Sequence, residues 1–207
     1  MLQILFASTN KHKLEEFRNM LGEQLAQKIA FVTPEQFKNY PVIEETGTTF
    51  EENACIKAVQ SSAFFDSVSI ADDSGLVVDA LNGAPGVFSA RYAGENATDS
   101  DRIAKLLNEL KGVSNRQAKF VCVIALAYRG NIVKTFRGEV NGVIAQKPSG
   151  TCGFGYDPIF IPDGYTKSFA DLGADIKDKI SHRAAASSLT CKFIKQELDS
   201  MDDFEFI

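Results

Sequence analysis

The spacing of apolar side chains predicts a strand followed by a helix at the start of the chain. The run Leu2–Ala7 is almost entirely apolar, which is typical of a buried strand. Leu14, Phe17 and Leu21 then recur at intervals of three and four residues. That spacing places them on one face of a helix, which we expect to end near Gly22.

Capping and periodicity predict three further helices. Thr49 and Glu52 have the spacing of a capping box, so a helix should begin there. Another helix, closed by Gly112, is predicted by a stripe of apolar residues. The stripe consists of Ile103, Leu106, Leu107 and Leu110. A last helix is expected from about Ser181 to Leu198.

The middle of the chain predicts strands. Val68–Ala71 has the pattern of a short buried strand, residues 72–75 that of a turn, and Leu76–Leu81 that of a further extended segment. Phe120–Tyr128 and Ile132–Val140 flank a short polar segment and predict a long hairpin. Because strands first alternate with helices and then pair as a hairpin, we predict an α/β fold with a mixed sheet.

Composition narrows the class of protein. The chain has 207 residues, 44% of them hydrophobic, which predicts a single domain over residues 1–207 with a sizeable core. A net charge of −5 argues against binding to nucleic acid, and no apolar run approaches the length that spans a membrane. Four scattered cysteines favour free thiols. We therefore expect a cytoplasmic protein.

The first polar cluster follows the first strand and opens the first helix. Backbone N–H groups and the helix dipole attract phosphate at such a position, and Lys13 adds a point charge. The cluster comprises Ser8, Thr9, Asn10, Lys11, His12 and Lys13. It lacks the glycines of a Walker A loop, and a solvated polar helix cap is the alternative interpretation.

Acidic residues before and within the second helix favour a hard divalent cation such as Mg²⁺. Glu44 and Glu45 precede the helix and have no evident structural role. Glu52 has an alternative role in the capping box. Asn53 and Lys57 are four residues apart, so they should share one helix face.

A further pair of acids, Asp72 and Asp73, follows the predicted short strand. Two adjacent carboxylates are unfavourable together unless a cation or a proton separates them. An ordinary acidic turn is the alternative interpretation. Asp99 and Asp101, by contrast, should charge the N-terminal turn of a helix rather than bind a metal.

The last cluster is a glycine-rich segment, residues 150–158. Gly153 and Gly155 flank Phe154, whose ring could stack on a planar base. A loop aromatic packed into the core is the alternative. Three more polar residues follow in the sequence: Lys177, His182 and Arg183.

Taken together, these motifs resemble those of the RdgB/HAM1 family of inosine and xanthosine triphosphate pyrophosphatases. In chain order the matching motifs are Ser8-x-Asn10-x-x-Lys13, Glu44-Glu45-Thr46-Gly47, Phe50-x-Glu52-Asn53-Ala54, Ala71-Asp72-Asp73-Ser74-Gly75-Leu76, Gly83-Ala84-Pro85-Gly86-x-x-Ser89-Ala90-Arg91-Tyr92, Gly153-Phe154-Gly155-Tyr156-Asp157-Pro158 and Ser181-His182-Arg183. They span almost the whole chain. The resemblance implies an elongated mixed sheet flanked by helices, two lobes with the active-site cleft between them, and a homodimer.

The resemblance also implies Mg²⁺-dependent hydrolysis of ITP, dITP and XTP to the monophosphate and pyrophosphate. It assigns Asp73 as general base and metal ligand, Glu44 as a second ligand, and Ser74 as a substrate contact. The residues implied to bind the triphosphate are Ser8, Thr9, Asn10, Lys11, His12, Lys13 and Lys57. The residues implied to bind the base and sugar are Phe154, Gly155, Tyr156, Asp157, Lys177, His182 and Arg183.

Three other functions compete with this one. They are a pyrophosphatase for dUTP or modified pyrimidines, a nucleotide-binding module without catalysis, and a nucleic-acid-binding protein. Asp73 argues against the binding module, because binding alone does not require a carboxylate base. The acidic composition argues against the nucleic-acid-binding protein.

Overall fold

A computed structural model of the chain describes residues 1–202. Within that range the strands are β1 (Leu2–Phe6), β2 (Ile29–Val32), β3 (Val68–Val78), β4 (Gln117–Tyr128), β5 (Asn131–Ile144) and β6 (Phe160–Pro162). The α-helices of the same range are α1 (Lys11–Met20), α2 (Gly22–Lys28), α3 (Phe50–Phe65), α4 (Asp99–Glu109), α5 (Phe169–Leu172), α6 (Ala174–Ile180) and α7 (His182–Asp202). Short 3₁₀ helices occur at Pro34–Gln36, Asp79–Leu81, Gly86–Arg91 and Asp157–Ile159. Residues 203–207, part of the predicted 1–207 domain, lie outside the described residues.

In the described residues the strands form a mixed sheet in the order β2-β1-β3-β4-β5-β6. β1 runs parallel to β2 and to β3, with Leu2 opposite Ile29 and Ile4 opposite Val68. β5 and β6 are antiparallel. β4 and β5 are neighbours joined by two residues, a connection that only an antiparallel hairpin allows. The predicted α/β fold with a mixed sheet and flanking helices is confirmed.

The first strand and helix form as the apolar pattern predicts. Ile4, Leu5 and Phe6 of β1 are buried, and so are Leu14 and Phe17 of α1. The rings of Phe6 and Phe17 pack with 5.7 Å between their centroids. Because burying a side chain of this size contributes roughly 1.5–3 kcal/mol, this face fixes α1.

Capping determines where two of the longer helices begin. The Thr49 hydroxyl accepts the N–H of Glu52, and the Glu52 carboxylate accepts the N–H of Thr49, so the predicted capping box of α3 is confirmed. Thr98 and Asp101 form the same reciprocal pair at the start of α4. The predicted N-terminal role of Asp101 is therefore confirmed as well.

The segment predicted as a turn, residues 72–75, lies within one continuous strand, β3. Asp72 is 2% exposed and Asp73 is 6% exposed, so both carboxylates are in the interior. A buried charge is unfavourable unless it is paired, and local composition does not reveal partners from distant segments. The turn prediction was wrong for that reason. β3 also ends at Val78, and Asp79–Leu81 is a 3₁₀ helix rather than a strand.

The described chain divides into two compact units. Unit 1 comprises residues 1–73, residues 123–137 and the described residues from Arg183 onward. Unit 2 comprises residues 74–122 and 138–182, and its core contains Phe120 packed 4.6 Å, centroid to centroid, from Phe160. In neither unit is any described helix both long and apolar enough to cross a membrane.

Candidate active site

The adjacent carboxylates of Asp72 and Asp73 face different cations. Successive side chains of a strand point to opposite faces of the sheet, so the two carboxylates make their closest contacts with different cations, although Lys13 and Lys57 each act on both. Asp72 Oδ2 lies 3.0 Å from Lys13 Nζ and 3.3 Å from Arg183 Nη2. Asp73 Oδ1 lies 3.4 Å from Lys57 Nζ. Each carboxylate therefore has its own positive partner within unit 1.

Helix α3 supplies two of the side chains around Asp73. Asn53 Nδ2 donates to Asp73 Oδ2 at 3.2 Å, and Lys57 Nζ lies 2.7 Å from Glu45 Oε1 as well as close to Asp73. Asn53 and Lys57 thus share the helix face that their spacing predicts. Lys57 holds the carboxylates of Glu45 and Asp73 against one ammonium group.

The loop that carries Glu45 is fastened to α3 at Gly47. The N–H of Gly47 donates to Asn53 Oδ1 at 2.8 Å. A Cβ at Gly47 would lie 2.6 Å from Glu52 Cβ and 2.7 Å from Asn53 Oδ1. No residue larger than glycine fits there without movement. The close approach orients Asn53, whose other amide atom contacts Asp73.

Among the acids next to α3, Glu45 is the one whose described contacts bring it to the Asp73 cluster. Glu44 is exposed. Glu52 Oε2 accepts the N–H of Thr49 at 3.0 Å, in keeping with its role in the capping box. The geometry therefore favours Glu45 beside Asp73, and the ligand role assigned to Glu44 stays a prediction.

Burial and charge shift the pKa values of the two aspartates in opposite directions. Burial on its own would raise the pKa of Asp72, but Lys13 and the neighbouring cations outweigh it and hold that pKa well below its ordinary value. For Asp73, burial and the nearby carboxylates outweigh Lys57 and Lys13, so its pKa is raised. Asp72 therefore stays ionised, whereas Asp73 is the better proton acceptor.

The predicted phosphate-binding segment runs from the end of β1 into the first turn of α1. Ser8 Oγ accepts the N–H of Asn10 at 3.1 Å, and Asn10 Oδ1 accepts the N–H of His12 at 3.1 Å. Lys13 reaches Asp72. The exposed members of the segment are Thr9, Lys11 and His12. The segment is therefore an ordered turn with one lysine at the acidic cluster.

Arg183 belongs to unit 1, where it contacts two carboxylates. Its Nη1 donates to Glu16 Oε2 at 2.5 Å and its Nη2 to Asp72 Oδ2 at 3.3 Å. Glu16 was not predicted as a site residue, although it lies three residues after Lys13 on α1 and so shares a face with it. That spacing could have identified it. The base-binding role assigned to Arg183 stays a prediction.

Ser74 and His182, two other predicted site residues, belong to unit 2. The buried His182 ring stacks on Phe120, with centroids 4.8 Å apart and an angle of 11° between the rings. Ser74 follows Asp73 on β3 and is partly buried. Their assigned contacts with substrate stay predictions.

A second cluster forms in unit 2 around Asp157. Its Oδ2 accepts the N–H of Phe154 at 2.9 Å and a hydrogen bond from Lys177 Nζ at 2.7 Å. Lys177 Nζ also lies 4.2 Å from the centroid of the Phe154 ring, a cation–π distance. A Cβ at Gly153 would lie 2.1 Å from Asp157 Oδ2. The structure thus brings Phe154, Asp157 and Lys177 together.

Gly155 and Tyr156 complete this loop. The Tyr156 hydroxyl donates to the carbonyl of Ser89 at 3.0 Å, and burial raises the pKa of Tyr156. The N–H of Gly155 donates to Asp99 Oδ2 at 2.7 Å. The loop is therefore held by contacts with two distant segments of unit 2, of which sequence reasoning predicted neither.

The oxygen atoms around Asp73 fit a hard cation whose remaining ligands would be phosphate oxygens and water. Asp73 and Glu45 offer carboxylate oxygens, the ligands that Mg²⁺ prefers. Among residues 1–202 no group of three or more His, Cys, Asp or Glu side chains is arranged to hold a metal ion. Mg²⁺ commonly binds one or two carboxylates together with substrate phosphates and water, and two carboxylates suit that mode.

The fold and the first cluster define an α/β protein in which cations of three helices surround two buried aspartates of one strand, an arrangement suited to phosphoryl chemistry. The sequence model of the Ham1 family matches residues 4–193. A dITP/XTP pyrophosphatase from Oceanobacillus iheyensis is 46% identical over 189 residues, which are 90% of this chain and 94% of that protein. The dITP/XTP pyrophosphatase of Bacillus subtilis is 44% identical over 197 residues, 94% of this chain and 98% of that protein.

Solved structures agree with these relatives. A HAM1 protein from Coxiella burnetii has a TM-score of 0.86 and 43% identity, covering 95% of this chain and 100% of that one. The Staphylococcus aureus Ham1 protein has a TM-score of 0.86 and 41% identity with the same coverage. The chain belongs to the Ham1 family, which confirms the resemblance of its motifs.

Proposed function

We propose that this protein hydrolyses ITP, dITP and XTP to the monophosphate and pyrophosphate. The observation that carries the proposal is the contact of Lys57 Nζ with both Asp73, at 3.4 Å, and Glu45, at 2.7 Å. This contact supports the proposal, because a candidate base and a second carboxylate share one lysine, a set of charges that a magnesium triphosphate could use. The substrate class is supported by relatives at 44–46% identity that are named dITP/XTP pyrophosphatases.

Asp73 is proposed as the general base of this reaction. It would accept the proton of a water that attacks the α-phosphorus in line with the departing pyrophosphate. Asp73 lies beside Lys57, and burial and the nearby carboxylates raise its pKa before any cation binds. Asp73 and Glu45 would hold Mg²⁺, with Glu45 better placed than the exposed Glu44. Bound Mg²⁺ supplies neutralisation of phosphate charge.

Cations of unit 1 are proposed to hold the phosphates. Lys13 follows the ordered turn at the start of α1, where backbone N–H groups and the helix dipole favour an anion. Lys57 lies beside the candidate base. Both lysines pair with carboxylates of the protein in this structure. A bound magnesium triphosphate would replace these pairs, its phosphates pairing with the lysines and its Mg²⁺ with the carboxylates. No buried charge would then be left uncompensated.

The unit 2 cluster is proposed to recognise the purine. The Phe154 ring offers a stacking surface whose position is set by Lys177 and Asp157. Hypoxanthine and xanthine carry a 6-oxo acceptor, whereas adenine carries a 6-amino donor. A protein N–H group, from Arg183 or from the loop backbone, would donate to the 6-oxo oxygen but would face another donor in the 6-amino group of adenine. That difference is about 1–3 kcal/mol.

Pyrophosphate release from ITP, XTP, ATP and GTP in the presence of Mg²⁺ tests the proposal. We expect ITP and XTP to be hydrolysed at least about tenfold faster than ATP. We expect GTP to be hydrolysed more slowly as well, a discrimination that would depend on its 2-amino group because it shares the 6-oxo group. Equal rates on all four, or release of single phosphate, would contradict the proposed function. Full activity in excess EDTA would contradict the Mg²⁺ requirement alone.

We further propose that the protein acts as a homodimer on free nucleotides in the cytoplasm, and not on nucleic acid or at a membrane. The net charge of −5 supports the absence of nucleic-acid binding, and four scattered cysteines support a reducing compartment. Light scattering after size-exclusion chromatography tests the dimer. A monomer at micromolar concentration would contradict it.

A further inference from the structure

Asp99 contacts the glycine-rich loop of unit 2, although its position in the sequence predicts only a charge at a helix N-terminus. Its Oδ2 accepts the N–H of Gly155 at 2.7 Å. Gly155 lies between Phe154 and Tyr156, both assigned to base binding. Asp99 therefore reaches the backbone of the loop at its centre, and it does so from the first residue of α4.

Arg102 holds Asp99 in this orientation. One turn further along α4, its Nη2 forms an ion pair with Asp99 Oδ1. Its Nη1 donates to the carbonyls of Ala90 at 2.8 Å and Ala97 at 2.7 Å. The Arg102 side chain is only 18% exposed. The two oxygens of Asp99 are thus divided, one to Arg102 and the other to the loop.

The loop needs such support because of its backbone. Gly153 and Gly155 both have positive φ, +82° and +63°, and glycine populates many conformations when nothing holds it. Asp157 fixes one end through the N–H of Phe154. The bond from Gly155 to Asp99 is charge-assisted and restrains the loop at a second point, which should reduce the ordering that a ligand must impose.

We propose that Asp99 is a positioning residue that pre-organises the Phe154 loop for purine binding. It acts through the N–H of Gly155, and it therefore sets KM and base selectivity rather than the rate of the chemical step. The inference rests on the proposed function, because KM is defined only for a hydrolysed nucleotide.

Steady-state kinetics with ITP and ATP test this role. Asp99→Ala removes the acceptor, so we expect KM for ITP to rise about tenfold and the preference for ITP over ATP to fall, with kcat changed by less than about twofold. Asp99→Asn keeps an acceptor oxygen and should restore most of the loss. Ser100→Ala alters the exposed neighbour on the same helical turn and is the matched control.

The outcomes separate this inference from the proposed function. Wild-type protein without ITP turnover would overturn both. Normal wild-type turnover with an unchanged KM in Asp99→Ala overturns the inference alone, even if the thermal midpoint falls, because Asp99 would then only place a charge in the first turn of α4. A loss confined to kcat would overturn it as well.

Discussion

Replacing Asp73 by asparagine should separate the chemistry of the candidate site from its stability. The amide keeps the shape of the side chain and can still contact Asn53 and Lys57, but it cannot accept a proton from water. Losing a general base costs about 10²- to 10⁴-fold in rate, or about 2.7 to 5.5 kcal/mol of activation free energy. We expect kcat for ITP to fall by at least about 10²-fold.

The same substitution should change stability little. Burial raises the pKa of Asp73, so the folded state holds its charged form less favourably than the unfolded state does. Removing the charge should therefore leave the free energy of unfolding unchanged or raise it, by no more than about 1 kcal/mol. Asp72→Asn is the matched control on the same strand. It breaks the ion pairs of Asp72 with Lys13 and with the buried Arg183, which keeps its ion pair with Glu16, and breaking a buried pair costs about 3–5 kcal/mol.

Two measurements on each variant check this contrast. Pyrophosphate release at saturating ITP gives kcat, and urea denaturation near pH 7 gives the free energy of unfolding. Asp73→Asn should be nearly inactive and as stable as wild type, whereas Asp72→Asn should be clearly less stable. The reasoning is refuted if Asp73→Asn keeps kcat within about tenfold of wild type, or if it loses as much stability as Asp72→Asn.

Three further predictions concern other contacts of the two units. Gly47→Ala places a Cβ 2.6 Å from a side-chain carbon of α3 and should cost about 1–3 kcal/mol in urea denaturation, and unchanged stability would show that the loop yields easily. Lys177→Met leaves the buried Asp157 uncompensated and should cost about 3–5 kcal/mol of stability in urea denaturation. Lys179→Met changes an exposed lysine on the same helix, α6, and is the neutral control. Equal losses in the two variants would contradict the prediction. The pKa of Asp72 is lower in the folded protein than its unfolded value of about 3.9, so ionised Asp72 should stabilise the fold above about pH 3.9 and less so below it. The free energy of unfolding of Asp72→Asn, measured against pH, should therefore decline less steeply in acid than that of wild type.

Local patterns in the sequence predicted the elements whose causes are local. The capping box at Thr49 and the apolar stripe of α4 each involve residues of a single helix, so neighbouring residues determine the outcome. The β4–β5 hairpin follows from two apolar runs around a short turn. The missed strands, β2 and β6, have only four and three residues, too few for a period to be recognised.

The candidate site could be predicted only in part, because its geometry depends on distant partners. The sequence suggested Asp72 as a turn residue. In the structure it lies in β3 and contacts Arg183, which is 111 residues away in the chain. The choice between Glu44 and Glu45 had no periodic pattern to decide it, since both lie in an irregular loop. Only the folded chain shows that Glu45 shares Lys57 with Asp73.

Strand geometry explains how two acidic residues in succession can be buried and still differ in reactivity. Carboxylates that share one site repel each other, and the usual remedy is a cation or a proton between them. In β3, alternation of side chains instead gives each carboxylate a different environment. Asp72 is balanced by Lys13 of α1 and Arg183 of α7, whereas Asp73 shares a single lysine with another carboxylate. Burial and this excess of negative charge raise the pKa of Asp73, so one strand holds an aspartate that stays ionised next to an aspartate that is more easily protonated.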